Sequence, residues 1–579
     1  MTKHQAVFSG LTALLLVLSP AAHAAEYIVA PNGSDSNPGT LSAPLATLGK
    51  ALTLAGAGDT VYLRGGNYGL SSSINVSKSG ASGNLLKIHA YPRERPVLDA
   101  AAMSSTGYYS GWPLVLNNAS WVHLKGLEIT NGPMGGLVIL GASHHNLIEG
   151  LDVHHNGRLA QWEGKGISLY GSSADNLLLN NDSHHNRDLQ DSNADGFQVS
   201  TTGAGNVLRG NRAWRNSDDG FDFFNIFDNS LAAPLTLEGN WAFENGYLEN
   251  GTASIGDGNG FKLGGRRANT SGSSGGHTLR FNVSWGNRNK GFDENDATQP
   301  LTLHSNTAYA NGRYDYAFWT TAHVLRNNLA YAGALGVSVC CGAAGSVVDH
   351  NSWTLPVSVN AADFQSLVAS SATAARAADG SLPTSGFLRL AAGSDLVDAG
   401  VNVGLSYQGS APDLGAYEQA VGTSDTNPPS TPSSLSASAD SASGVQLVWI
   451  AATDNVGVSG YRVLRNGGVV GSSSAISFRD TGLSARTTYN YQVQALDAAG
   501  NASALSSTAT ATTWRFSLGQ RVKLSGKTTV YASVGGNVIG SQGKGAWGGV
   551  TAGPVFSGGD EWWQFDFDSG VDGWLRFAP

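Results

Sequence analysis

Seven short segments of the chain share one pattern: Asn, any residue, a small residue, an aromatic ring, any residue, Asn. It reads NDSHHN at 181, NRAWRN at 211, NWAFEN at 240, NVSWGN at 282 and NTAYAN at 306, with looser copies LDVHHN at 151 and NLAYAG at 328. The starting positions step by 30, 30, 29, 42, 24 and 22 residues, which is a repeat carrying loop insertions. A second ladder runs in phase with it: GLVI at 136, GISL at 166, GFQV at 196, GFDF at 220, GFKL at 260 and GFDE at 291. After each glycine the first and third side chains face one way and the second faces the other. Strands at this spacing, with no helical periodicity between them, predict coils of a parallel β-helix stacked rung upon rung. In this register His154 and His184 stand where later coils have Trp214, Phe243, Trp285, Tyr309 and Tyr331, so the histidine pairs belong to an aromatic stack.

The remainder of the chain is also expected to be all-β. It has 76 Gly in 579 residues and few runs of strong helix formers, a composition of strands and turns. One exception is PLATLGKALTLAG at 44–56, whose apolar residues fall at helical spacing and suit a cap on the open end of the solenoid. APDLGAYEQ at 411–419 reads as a closing segment, which puts the solenoid at 25–420. Residues 421–433 form a Ser, Thr and Pro linker. Alternating strands over 428–513, with Trp449 and Tyr461 as core aromatics and Tyr489 near the tyrosine-corner position, resemble a fibronectin type III β-sandwich. Residues 515–579 resemble a small SH3-like barrel. Its Trp547, Trp562, Trp563 and Trp574 are mostly core candidates, and an exposed one would suit stacking on a sugar ring.

Residues 1–24 have a basic start, an apolar run and Ala22-His23-Ala24 before Ala25, the pattern of a signal peptide for secretion. No later segment is apolar over about 18 residues, so no membrane span and no membrane partner are expected. The two cysteines, Cys340 and Cys341, are neighbours and ill placed to bridge. A net charge of −9 argues against nucleic acid as a partner. A monomer is expected.

Only 13% of residues are charged, yet SDDGFDFF at 217–224 sets Asp218, Asp219 and Asp222 within five positions. Aligning strands on their glycines gives two columns. The position before the glycine reads Lys165, Asp195, Asp219, Asn259, Lys290; the position two after it reads Ser168, Gln198, Asp222, Lys262, Asp293. Coils about 4.8 Å apart let Asp195 converge with Asp218, Asp219 and Asp222. Four carboxylates repel and raise one another's pKa unless a cation joins them, and a flexible, all-oxygen site suits Ca2+. Lys262 stands in the same outward column as Asp222, one coil further on. A solvated acidic face, or an ion that only clips two coils together, is the plainer alternative.

These residues resemble the pectate lyases of polysaccharide lyase family 9, which are right-handed parallel β-helices. The resemblance spans about 25–420 and is densest over 190–318, through NADGFQ, NSDDGFDFF, GNGFKLGG and NKGFDEN. It implies β-elimination on polygalacturonate, an acidic polysaccharide, with calcium held by Asp195, Asp218, Asp219 and Asp222 and with Lys262 as the base. Lys290, Arg266 and Arg267, on or beside the following coil, are candidates to pair with uronate carboxylates. Three other readings remain open at this point: a lyase on another acidic glycan such as rhamnogalacturonan, an inverting glycoside hydrolase using two aspartates, and a non-catalytic calcium-stabilised β-helix whose C-terminal modules bind glycan.

Overall fold

The computed structural model describes residues 24–578 apart from 106, 108–109, 162, 227–229, 268–270, 273, 340–344, 420–426, 456 and 498–499. All but the last residue of the expected export signal at 1–24, Cys340 and Cys341, and residues 421–426 of the expected linker lie outside the described residues. Backbone contacts divide the chain into one unit up to Val421 and another from Gly422.

Three parallel sheets of twelve, ten and ten strands build the first unit; ten coils contribute one strand to each sheet, and the first sheet has one extra strand at either end. The first sheet runs from Glu26–Val29 to Val347–Asp349, the second from Ile74–Val76 to Val337–Val339, and the third from Gly66–Gly69 to Leu329–Tyr331. The glycine ladder lies on the second sheet in the register read from the sequence: Lys165 pairs with Asp195, Phe197 with Phe221, Phe221 with Phe261 and Phe261 with Phe292. Inside, Phe197, Phe221, Phe261, Phe292 and Tyr316 form one continuous stack with ring centroids 4.8, 4.7, 4.8 and 5.0 Å apart. Each such contact adds about 0.5–1.5 kcal/mol to the burial of the rings.

The two asparagines of the repeat have separate tasks. The first of each copy forms a ladder Asn181, Asn211, Asn240, Asn282, Asn306, Asn328, Asn351, and the last forms another from Asn156 through Asn186, Asn216, Asn245 and Asn287 to Asn311. Every rung is buried. At Asn240 the side-chain oxygen accepts the Asn211 side-chain amide at 2.9 Å and the Asn211 backbone N–H at 3.0 Å. Its own amide donates to Leu208 O and to Asn282 Oδ1, both at 2.9 Å. The residue before a ladder asparagine takes a left-handed conformation, as at Asn180 (φ 56), Gly210 (φ 65), His185 (φ 52) and Arg215 (φ 49). That sharp corner costs a non-glycine residue about 1–2 kcal/mol, and the ladder bonds offset it.

On the outer face of the third sheet the aromatic column stacks: His154 on His184 at 5.0 Å, His184 on Trp214 at 4.1 Å, Trp214 on Phe243 at 5.4 Å and Phe243 on Trp285 at 4.3 Å. Regular coils stop at Asp349. From there the chain runs back over this face, and Phe364, Phe387, Leu388, Leu390, Leu396 and Leu414 bury Trp241, Phe243, Val283 and Trp285. The segment read as closing the solenoid is part of this strap: Gly415 N–H donates to Asn327 O at 2.7 Å and Ala416 N–H to Thr307 Oγ1 at 2.8 Å. At the other end the helix Leu48–Leu54, capped by Thr47, buries Leu48, Ala51 and Leu52.

In the second unit a three-stranded and a four-stranded antiparallel sheet share a core containing Trp449, Tyr461 and Tyr491. Tyr489 Oη accepts from Ser484 N–H at 3.0 Å, the expected corner bond. A six-stranded antiparallel sheet follows from Arg521 to Phe577. Trp562 and Trp563 are buried in it, Trp574 is half-buried, and Trp547 is exposed with Lys523 against its ring at 5.8 Å.

Replacing Asn240 by Ala removes one acceptor from two buried donors, each worth about 1–3 kcal/mol when left unpaired. Asn240→Ala is therefore expected to lower stability by about 2–5 kcal/mol, read as a fall in the denaturant midpoint, whereas Asn250→Ala in an exposed turn leaves it within about 0.5 kcal/mol.

Candidate active site

The second sheet presents its outward column, Gln198, Asp222, Lys262 and Asp293, in consecutive coils. Phe221 and Phe261 anchor the two short strands Phe221–Asp222 and Phe261–Lys262 from inside, so the charged neighbours have no freedom to turn inward. Asp195, Asp218 and Asp219 each offer one carboxylate oxygen to a group whose members lie within 4.8 Å of one another. Asp222, the fourth predicted ligand, is buried beside this trio but stands outside it. Its Oδ1 accepts Phe224 N–H at 2.8 Å and its Oδ2 the Gln198 amide at 3.5 Å.

Backbone donors orient the trio. Asp195 Oδ1 accepts Asp219 N–H at 3.0 Å, Asp219 Oδ1 accepts Asn259 N–H at 2.7 Å, and Asp218 Oδ1 accepts the N–H groups of Asp257 and Gly258. Asp219 Oδ2 lies 3.0 Å from Lys262 Nζ but accepts no hydrogen bond, although it is wholly buried. The Lys262 ammonium is its charge partner, and a carboxylate oxygen has a second lone pair with which to meet a further cation. Two oxygens on one ion with bonds of about 2.3–2.6 Å can be at most about 5 Å apart, and the trio meets that limit. The residues therefore fit a hard divalent cation such as calcium.

Charge is balanced from both sides. Lys165, one coil before Asp195, is fully buried with its ammonium 2.6 Å from Asp195 Oδ2. Lys262, one coil after Asp219, is held also by Asp257 Oδ2 at 3.0 Å. Burial raises Asp195 and Asp219 to about 6 even with a lysine beside each. Burial, with Asp219 and Asp195 as neighbours, pushes Asp218 well above the carboxylate range, and burial raises Asp222. Burial alone would lower Lys262, but Asp219, Asp222, Asp218 and Asp257 together hold its ammonium well above the ordinary lysine value.

A cleft of about 470 Å³ opens over this cluster, lined among others by Asp218, Asp222, Asp257, Lys262, Arg267 and Asn193. Of the three cations proposed for substrate, Arg267 lines it. Arg266, bridged to the strand register at Asn225, donates to Gly272 O at 2.8 Å, and Lys290 pairs with Asp293 Oδ2 at 2.7 Å beneath the Trp319 ring. Neither belongs to the cleft lining. Sequence reasoning gave no role to Asp257 or Lys165. Lys165 carried a usable signal, since it precedes Asp195 in the pre-glycine column. Asp257 sits in a turn, where no periodicity locates it.

Residues 27–328 match the family described as Pel9A-like, right handed beta helix region. The chain belongs to this family. Among its relatives, Pectate lyase L of Dickeya dadantii (strain 3937) is 34% identical over 441 residues, 71% of this chain and 98% of that protein. The crystal structure of pectate lyase Pel9A superposes with a TM-score of 0.59 at 32% identity, covering 69% of this chain and 98% of that one. A rhamnogalacturonan lyase follows with a TM-score of 0.52 at 26% identity, covering 63% and 96%. As a member of the Pel9A-like family the chain is a polysaccharide lyase on a right-handed parallel β-helix.

Because Asp195 and Asp219 sit at about 6 in the metal-free protein, a cation entering the trio at lower pH displaces protons. Calcium affinity by titration calorimetry is expected to fall as pH drops from 7 to 5, with a buffer-dependent heat that reports net proton release. An affinity constant across that range with no buffer dependence contradicts this assignment of the carboxyls.

Proposed function

We propose that this member of the Pel9A-like family is a calcium-dependent pectate lyase that cleaves polygalacturonate by β-elimination, with Lys262 as the base. The observation that carries it is Lys262, mostly buried where it lines the cleft, with Nζ 3.0 Å from Asp219 Oδ2 of the aspartate trio. A neutral amine beside a cation-binding oxygen cluster suits abstraction of a proton α to a carboxylate. Calcium bound by Asp195, Asp218 and Asp219 would draw charge from the uronate carboxylate and favour the enolate character that develops at C5. Lys262 as the free amine takes the C5 proton, the C5–H electron pair becomes the C4–C5 double bond, and the C4–O4 bond breaks toward O4, which water protonates. Lys262 accepts only when neutral, so the surrounding carboxylate charge has to be matched by a cation. Asp257 then fixes the direction of the amine, and Arg267 on the cleft wall supplies a planar donor for a neighbouring uronate.

Spacing weighs against the hydrolase reading. An inverting hydrolase keeps its two carboxyls about 6.5–9.5 Å apart to admit water, whereas Asp195, Asp218 and Asp219 each bring one oxygen within 4.8 Å of the others, which weighs against any pair drawn from those three. Rhamnogalacturonan as substrate is the second reading, carried by the likeness to a rhamnogalacturonan lyase. The export signal read in residues 1–24 suits an extracellular polymer. Among the described residues no helix is long and apolar enough to cross a membrane.

Polygalacturonate incubated with the protein and calcium is expected to gain the ultraviolet absorbance of a C4–C5 double bond conjugated to the carboxylate. Lys262→Ala lowers kcat by at least about 10²–10⁴-fold while the protein still folds and still binds calcium, and chelation abolishes turnover of the wild type. New reducing ends without that absorbance would make the chain a hydrolase, and unsaturated products from rhamnogalacturonan alone would move the substrate.

A further inference from the structure

Lys165 is used by none of the steps above, yet it is among the largest wholly buried side chains of the protein. Its three ammonium hydrogens have three acceptors: Asp195 Oδ2 at 2.6 Å, Asn193 O at 2.9 Å and Asn193 Oδ1 at 3.0 Å. It has no route to substrate. Asn193 belongs to the loop that walls the cleft, and Asp188 knits that loop by accepting the N–H groups of Gln190, Ser192 and Asn193 at 2.9, 3.0 and 2.7 Å. Asp195 passes the contact on, since its other oxygen accepts Asp219 N–H. Asp219 in turn faces Lys262. Two lysines therefore bracket the acidic cluster, one on each side along the solenoid axis.

The charge count gives the bracket a purpose. Asp195, Asp218, Asp219 and Asp222 are all buried; with Lys165 and the ammonium that Lys262 carries before an ion enters, and with the exposed Asp257 left aside, they carry two net negative charges, the complement of one divalent ion. Without Lys165 three would remain. A cation as close to Asp195 as Lys165 also opposes a second cation on the same carboxylate, because charges in a dry site act over several ångströms with little screening.

We propose that Lys165 is a built-in counter-cation of the acidic cluster, standing in for part of the metal's charge, so that these coils fold without an ion and take up a single divalent cation with restrained affinity. It is a positioning residue that acts through Asp195, and the inference rests on the calcium reading of the same site. Loss of the ammonium leaves Asp195 buried and uncompensated, a strongly destabilising change, unless a divalent ion takes over the charge.

The test compares wild type with Lys165→Met as full-length proteins, in chelator and in millimolar calcium, by thermal melting and by calcium titration calorimetry. The variant is expected to melt well below wild type in chelator and to recover most of that deficit with calcium. Its calcium-induced rise in melting temperature should be at least about twice that of wild type, through mass action on a dissociation constant at least about tenfold tighter. If the variant does not fold in chelator, it is refolded with calcium present, and folding that depends on calcium supports the proposal. A variant that folds under neither condition, that shows a calcium shift no larger than wild type, or that binds calcium more weakly overturns it in favour of Lys165 as a mere holder of Asp195. Absence of calcium binding by wild type overturns the calcium reading itself and the proposal with it, so the two failures are told apart by the wild-type titration.

Discussion

Everything at the active site depends on coils staying in register, and the buried asparagine ladders enforce it. A β-helix built only on apolar stacking could slide a strand by two residues and keep its inside and outside faces. An amide rung cannot slide, because each oxygen serves two donors of the preceding coil and each amide serves an oxygen of the next. With two such ladders flanking the third sheet, the glycine strands of the second sheet are held opposite one another, and Asp195, Asp219 and Lys262 meet across three coils. The candidate cluster is a consequence of register before it is one of local sequence.

The same scaffold explains how so much charge is tolerated out of water. Carboxylates at this depth are costly unless paired, and each aspartate of the site has a backbone N–H, a lysine or both. Asp219 Oδ2, buried and misaligned for a hydrogen bond, has only the ammonium of the proposed base Lys262 at 3.0 Å as its ion-pair partner. The protein thus holds an arrangement that is nearly but not wholly satisfied without a metal. That is the electrostatic condition for binding one reversibly.

Much of this was legible because the repeat converts sequence spacing into spatial neighbourhood. Aligning glycines placed Lys165 over Asp195 and Asp222 over Lys262, as the strand pairing has them, and put His184 against Trp214. Where the period fails, so did the reading. Asp257 comes from an irregular turn, and the strap from 353 to 419 has no repeat to give its course. The repeat asparagines marked the coils in the sequence, while their role as hydrogen-bonded rungs emerged only with the fold.

By itself the sequence determined the solenoid, its inward and outward faces, and the set of aspartates with Lys262, because period-two strands at a fixed repeat leave one way to stack. Tertiary structure alone decided which oxygens converge, that Asp222 stands beside the trio rather than within it, that Lys165 pairs with Asp195 and that Asp257 holds Lys262. Those outcomes turn on ångström-scale side-chain directions and on loops without period, which depend on contacts between coils that no single stretch of chain encodes.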